Sequence, residues 1–262
     1  MNEALLVVGH GSRDREGIEE FLELGRLLAA RRAGQATEVA FLEFARPTIE
    51  EAIAQLVEAG AERIICQPGM LFAAGHVKND VPSEVQAAMR RWPAVEFRMG
   101  RALDVHASLL ELCQVRWQEA LRTQPPRAAS DTYLLVVGRG SSDPDANADV
   151  ARITRFLWEG YGVGRAATCY SGVAAPLVPE ALQIAGRSGL RRIVVQPYFL
   201  FTGVLVKKIQ CWTQEYAQRH PELEVFVTSH LGVHRLLVDV FEERAHEAAY
   251  GNPNTNCQLL AF

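Results

Sequence analysis

LLVVGHGSRD, Leu5 to Asp14, and LLVVGRGSSD, Leu134 to Asp143, are two versions of one motif in a single chain. Each begins with an apolar run of strand length, continues through a residue framed by glycines, and reaches a serine. The framed residue is His10 in the first copy and Arg139 in the second. The shift of 129 residues that carries His10 onto Arg139 also aligns FLEFARPTIEEAI (Phe41 to Ile53) with YSGVAAPLVPEAL (Tyr170 to Leu182). RIICQPGMLFAAGHVK (Arg63 to Lys78) falls in the same way on RIVVQPYFLFTGVLVK (Arg192 to Lys207). A register that holds through three separate stretches marks an internal duplication. TQPPRAASD (Thr123 to Asp131), with its proline pair and small polar residues, suits the linker between copies. The expected domains are therefore 1–124 and 125–262.

Short β-branched runs alternate with longer amphipathic stretches in both halves. In the first, strands are expected at Ala4–Val8, Glu38–Leu42, Arg63–Gln67 and Val95–Met99, with helices at Glu16–Arg32, Thr48–Ala59, Asn79–Arg91 and Val105–Arg122. This rhythm with short connections predicts an α/β fold: two tandem doubly wound domains, each a parallel sheet with helices on both faces.

Composition excludes several classes of function. The chain has 262 residues, 48% of them hydrophobic, and a formal net charge of -4, so a general nucleic-acid binder is not expected. No apolar run is long enough for a membrane span, and Met1-Asn2-Glu3 leads directly into a strand pattern, without the basic start of an export signal. The five cysteines, Cys66, Cys113, Cys169, Cys211 and Cys257, are scattered and contain no C-x-x-C pair. A reducing cytoplasm is the expected location.

Ligands of doubly wound sheets bind beyond the carboxyl ends of the strands. At those ends stand His10 after the first strand, Glu43 after the second, and His76 in the loop AAGHVKND after the third. Two imidazoles and a carboxylate suit a first-row divalent metal, and the same groups can accept protons. Each residue alone has an ordinary structural explanation: a turn residue, a helix cap or a solvated strand end. The duplication separates scaffold from chemistry, because His10, Glu43 and His76 align with Arg139, Gly172 and Leu205 while the surrounding glycines and prolines persist. Residues required for folding should survive in both copies. Residues required for chemistry can be lost from one.

These motifs resemble the class II chelatases that act on sirohydrochlorin, in their two-domain cobaltochelatase and ferrochelatase form. The resemblance rests on GHGSR (Gly9 to Arg13), FLEFARPTIEEA (Phe41 to Ala52) and FAAGHVKNDVP (Phe72 to Pro82), and in the second half on GRGSSDPDAN (Gly138 to Asn147) and PYFLFTGVLVKKI (Pro197 to Ile209). It implies a lyase of cobalamin or siroheme biosynthesis. His10 and His76 would hold the metal and assist catalysis, and Glu43 would be the nearby acid. The metal, Co2+ or Fe2+ and less readily Ni2+, would be a substrate rather than a resident cofactor.

Metal insertion requires stripping water from the ion and removing two inner N–H protons, which calls for a ligand and a base together. A polycarboxylate tetrapyrrole also needs cationic grips. Arg13, Arg46, Lys78, Arg139, Lys207 and Lys208 flank the same loops, with Arg139 the foremost candidate. The chain is then expected to be a monomer acting as an intramolecular pseudo-dimer, the first half carrying metal chemistry and the second supplying shape and charge. Cys257 has no nearby cysteine partner, so the tail is not expected to hold an iron–sulfur cluster. The ending NTNC (Asn254 to Cys257) resembles cobalamin-pathway members of the family more than siroheme ones, and that resemblance implies cobalt, with iron next. Other readings are a non-catalytic metal or tetrapyrrole carrier, a purely structural duplicate, and a phosphoryl-transfer enzyme with His10 as nucleophile. Gly9 stands against the last, where that chemistry would want arginine.

Overall fold

The computed structural model describes residues 2–251, so Cys257 and the rest of the tail lie outside the described residues. The chain forms two compact units. The first comprises the segment up to Asp104 together with the segment from Arg235, and the second runs from Val105 to His234.

The sheet of the first unit contains β1 (Glu3–Gly9), β2 (Thr37–Phe41), β3 (Arg63–Pro68) and β4 (Glu96–Met99) in the order β2-β1-β3-β4, with every pairing parallel. β1 is buried along its whole length, as a central parallel strand requires. Side chains alternate across it. Leu6 and Val8 join Ile64, Cys66 and Phe97 beneath helices α2 (Ile49–Glu58) and α3 (Val81–Arg91). The opposite face is covered by α1 (Arg15–Arg31) and by the last helix of the chain, α8 (Arg235–Tyr250). The helical segment expected from Asn79 starts instead with one π-helical turn, His76–Asp80, and becomes α-helical at Val81, with Pro82 in the first turn, where its missing N–H costs nothing.

The second unit repeats this plan. β5 (Thr132–Gly138), β6 (Arg165–Tyr170), β7 (Arg192–Pro197) and β8 (Glu224–Val227) run parallel in the order β6-β5-β7-β8. Its helices are α5 (Pro144–Tyr161), α6 (Val178–Gly186), α7 (Val204–Arg219) and α4 (Ala107–Leu121).

The compact units are thus drawn differently from the halves 1–124 and 125–262 of the repeat, because each copy's last helix packs in the other unit. In the first unit, α8 buries Leu237, Val240, Phe241 and Ala245. It is also held by polar contacts: Arg101 reaches both carboxylate oxygens of Glu247 at 2.9 and 3.2 Å, Arg244 donates to the Leu103 carbonyl at 2.9 Å, and Arg32 donates to Glu242 at 3.1 Å. In the second unit, α4 stacks Trp117 on Tyr161 with centroids 4.5 Å apart. Buried Gln196 donates to the Cys113 carbonyl at 2.8 Å, and Arg116 donates to that of Leu231 at 2.7 Å. The 129-residue shift identifies α4 and α8 as equivalents, but it carries no information about which sheet each one covers.

Candidate metal and proton site

In the order β2-β1-β3-β4 the chain leaves β1 to one side and returns on the other, so the crevice of the first unit opens between the carboxyl ends of β1 and β3. The loop carrying His10 and the one leading to His76 flank that crevice, and the loop carrying Glu43 adjoins from β2. Two of these loops are joined through their backbones: Leu42 donates to the Gly9 carbonyl at 3.0 Å, and Glu43 to that of His10 at 3.1 Å.

Most of the residues common to the two opening motifs have a structural task. Gly11 (φ +90°) and Gly140 (φ +85°) occupy left-handed backbone conformations in contact with the β2 and β6 loops. The Ser12 hydroxyl accepts from the Asp14 amide, and the Asp14 carboxylate caps α1 by accepting from the Glu16 amide at 3.1 Å. Ser141 and Asp143 do the same for α5 at 3.0 Å each. His10 has no such duty shared with Arg139.

The His10 ring is half-buried. Its Nδ1 is 3.2 Å from the Gly11 carbonyl, and its Nε2 is 3.2 Å from Oε1 of Glu43. A carbonyl oxygen only accepts, so Nδ1 donates, and a neutral ring then directs the Nε2 lone pair toward a carboxylate. Two acceptors facing each other at this distance are complementary to a cation between them. A proton and a divalent metal ion both meet that requirement, so the pair can exchange one for the other.

The backbone of His76 opens the π-turn after β3, while its imidazole lies outside the described part of the structure. The turn is anchored by Val77, buried with Ala73 and Ala102 against Met70. Among the described residues no three His, Cys, Asp or Glu side chains come together as a metal-binding set, and of the three expected residues His10 and Glu43 are brought together as a pair.

The cationic candidates differ in their surroundings. Arg13 is exposed, with its guanidinium 4.9 Å from the centre of the Phe44 ring. Arg46 is exposed and ion-paired with Glu51, which also completes the capping box of α2 with Thr48. Lys78 is half-buried in the π-turn. In the second unit, Arg139 is exposed after β5, with its backbone carbonyl fixed by the Ser171 hydroxyl at 3.1 Å, and Lys207 is exposed in the first turn of α7. Lys208 is engaged with Trp212, its ammonium 4.6 Å from the ring centre. Sequence reasoning passed over Phe44, whose ring stacks beside His10 with centroids 6.2 Å apart. The available signal was its alignment with Val173.

The CbiX family model matches this chain twice, over residues 4–120 and 133–248. A sirohydrochlorin cobaltochelatase of Priestia megaterium is 38% identical over 261 residues, covering 99% of this chain and 84% of the relative. A sirohydrochlorin ferrochelatase of the same organism is 32% identical over 243 residues, covering 92% of this chain and 89% of the relative. Among solved structures, SirB from Bacillus subtilis with Fe3+ superimposes with a TM-score of 0.84 at 29% identity, covering 95% of this chain and 96% of that one.

Proposed function

The chain belongs to the CbiX family, and from that membership we infer that its His10–Glu43 pair is where metal and protons are exchanged during insertion into a tetrapyrrole. The chain is a sirohydrochlorin chelatase, a lyase that inserts cobalt or iron for cobalamin or siroheme biosynthesis. The observation behind the site assignment is the 3.2 Å approach of the His10 Nε2 to the Glu43 carboxylate.

His10 and His76 are proposed as ligands of the incoming ion and Glu43 as the group that offsets its charge. As the ion moves to the macrocycle, the freed Nε2 accepts the two inner N–H protons in turn, each handed on before the next is taken. Glu43, more open to solvent than His10, passes each proton outward. Arg13, Arg46, Lys78, Arg139 and Lys207 are proposed to grip the substrate carboxylates. Arg139 is the foremost of these, exposed directly after β5 at the carboxyl end of its own sheet.

Cobalt is the proposed physiological metal, supported by the greater identity to the cobaltochelatase, 38% against 32% for the ferrochelatase. The protein is further proposed to work as a monomer, its two fused copies standing in for the two subunits of a dimer. Among the described residues the cysteines are unpaired, which supports a cytoplasmic setting, and no helix is long and apolar enough to cross a membrane.

The deciding experiment mixes purified protein with sirohydrochlorin and Co2+, Fe2+ or Ni2+ separately, without oxygen, and follows the absorbance change on insertion. Turnover fastest with Co2+ is expected. Stoichiometric binding of metal and tetrapyrrole without turnover would make the protein a carrier instead.

A further inference from the structure

Phe44 combines three features that are unusual together. It is a bulky residue with left-handed backbone, φ 65°, a conformation costly for anything but glycine and, to a lesser degree, asparagine. Its side chain is half exposed, so burial in a core does not explain its identity. The ring nevertheless has partners on both sides of the site: the His10 imidazole at 6.2 Å with planes inclined by 26°, and the Arg13 guanidinium at 4.9 Å.

The second copy separates backbone from side chain. Val173, the counterpart of Phe44, has φ 64°, so the left-handed turn belongs to the duplicated scaffold. The cluster built on that turn does not, because His10, Arg13 and Phe44 align with Arg139, Ser142 and Val173. All three members of the contact set changed, whereas their capping neighbours Gly11, Ser12 and Asp14 kept their identities as Gly140, Ser141 and Asp143.

We propose that Phe44 is a positioning residue that holds the His10 ring toward Glu43 and the Arg13 guanidinium in reach of a substrate carboxylate, coupling the metal seat to the tetrapyrrole grip. The proposal rests on the chelatase reading of this site. Stacking limits rotation of the imidazole, acting together with Glu43 and with the 3.2 Å contact of Nδ1 with Gly11. The cation–π contact fixes a long side chain that would otherwise sample many rotamers.

The test uses the full chain with Phe44→Asn, Phe44→Gly and Phe44→Tyr. Binding of Co2+ alone is measured by calorimetry, insertion by absorbance, and folding by thermal melting. Asparagine and glycine tolerate the left-handed backbone, so both variants should melt at or above the wild-type temperature. They should nevertheless bind Co2+ about two- to tenfold more weakly and show a raised tetrapyrrole KM, with both properties restored in Phe44→Tyr. Wild-type Co2+ affinity and KM in Phe44→Asn, or a Phe44→Tyr variant as impaired as Phe44→Asn, would overturn the proposal. A wild-type protein that binds Co2+ but inserts none would sink the chelatase reading, leaving the Co2+ titration to judge Phe44. One that takes up no Co2+ would remove the seat and this role for Phe44 with it.

Discussion

The carbonyl oxygen of Glu43 lies 1.7 Å from the point where a Cβ on Gly11 would stand. The glycine next to His10 is what allows the β2 loop to approach closely enough for the carboxylate of Glu43 to meet the imidazole. Gly11→Ala faces both that clash and a φ of +90°. It should destabilise the first unit by roughly 1–3 kcal/mol or more and separate His10 from Glu43. Thermal melting together with Co2+ binding checks this. A variant with unchanged melting and affinity would show that the loops reach the same geometry without the glycine.

The pair itself predicts a different pattern. His10→Ala and Glu43→Gln alter half-exposed side chains that carry no core, so stability should change by less than about 0.5 kcal/mol. Insertion should fall by roughly a hundredfold or more in His10→Ala, since ligand and base are lost together. With Nε2 as the proposed ligand, proton and metal compete for it, so Co2+ affinity should also weaken on acidification. Insertion by His10→Ala at the wild-type rate would refute the assignment.

Acid stability is set elsewhere. The Arg63 hydrogen bond holds the Glu96 carboxyl below its ordinary value, with Arg98 helping and burial opposing. For Glu247, burial pushes upward, but Arg101 and Arg244 outweigh it and the net shift is again downward. Carboxyls depressed in the folded state contribute stability that is fully present above the unfolded value, near 4.5, and is lost as pH falls through the lower folded value. Melting temperature should therefore be level near neutrality and decline below about pH 4.5. In Glu247→Gln the neutral-pH melting temperature should already be lower and the decline shallower. A decline of wild-type steepness in that variant would exclude Glu247 as a contributor.

Arg139 and His10 occupy the same place in the repeat but should fail differently. A guanidinium neither accepts a proton nor ligates a metal, yet it binds a carboxylate in ground and transition states alike. Arg139→Ala should raise the tetrapyrrole KM about ten- to a hundredfold, the equivalent of one charge-assisted contact, and leave kcat within a few-fold. Loss of kcat at unchanged KM would give the second copy a direct part in the chemistry.

Much of this was legible in the sequence because the duplication acts as an internal control. The shift that pairs His10 with Arg139 located the strand-end residues without coordinates, and alternation of apolar runs gave the element order. Phe44 escaped because its contacts with His10 and Arg13 exist only once the turn is left-handed, a property that no residue type at this position announces. The start of α3 was misjudged for a related reason. One π-helical turn at His76–Asp80 has the same local composition as the first turn of an α-helix. The destination of the last helix of each copy was also hidden. Leu109 and Leu112 of α4 align with Val238 and Phe241 of α8, so both helices present an equivalent apolar face and either sheet could accept either one.

That equivalence leads to a prediction about the isolated half 1–124. Without α8 it lacks the helix that buries Leu237, Val240 and Phe241 against the second face of its sheet. It still contains α4, whose register matches that of α8. In the whole chain α4 belongs to the second unit and not to the unit of its own copy's sheet. Exchange between two half-chains would restore that arrangement, each α4 covering the other copy's sheet as α8 does here. The half-chain should therefore form a homodimer by light scattering, with amide protection on β1 and β3 that is lost on dilution to monomer. Truncation of the whole chain after His234 should strip protection from β1–β4 while leaving β5–β8 protected. A well-protected monomeric half-chain would mean that the last helix can serve its own sheet, making the exchange a matter of linkage in the fused chain rather than a requirement of the fold.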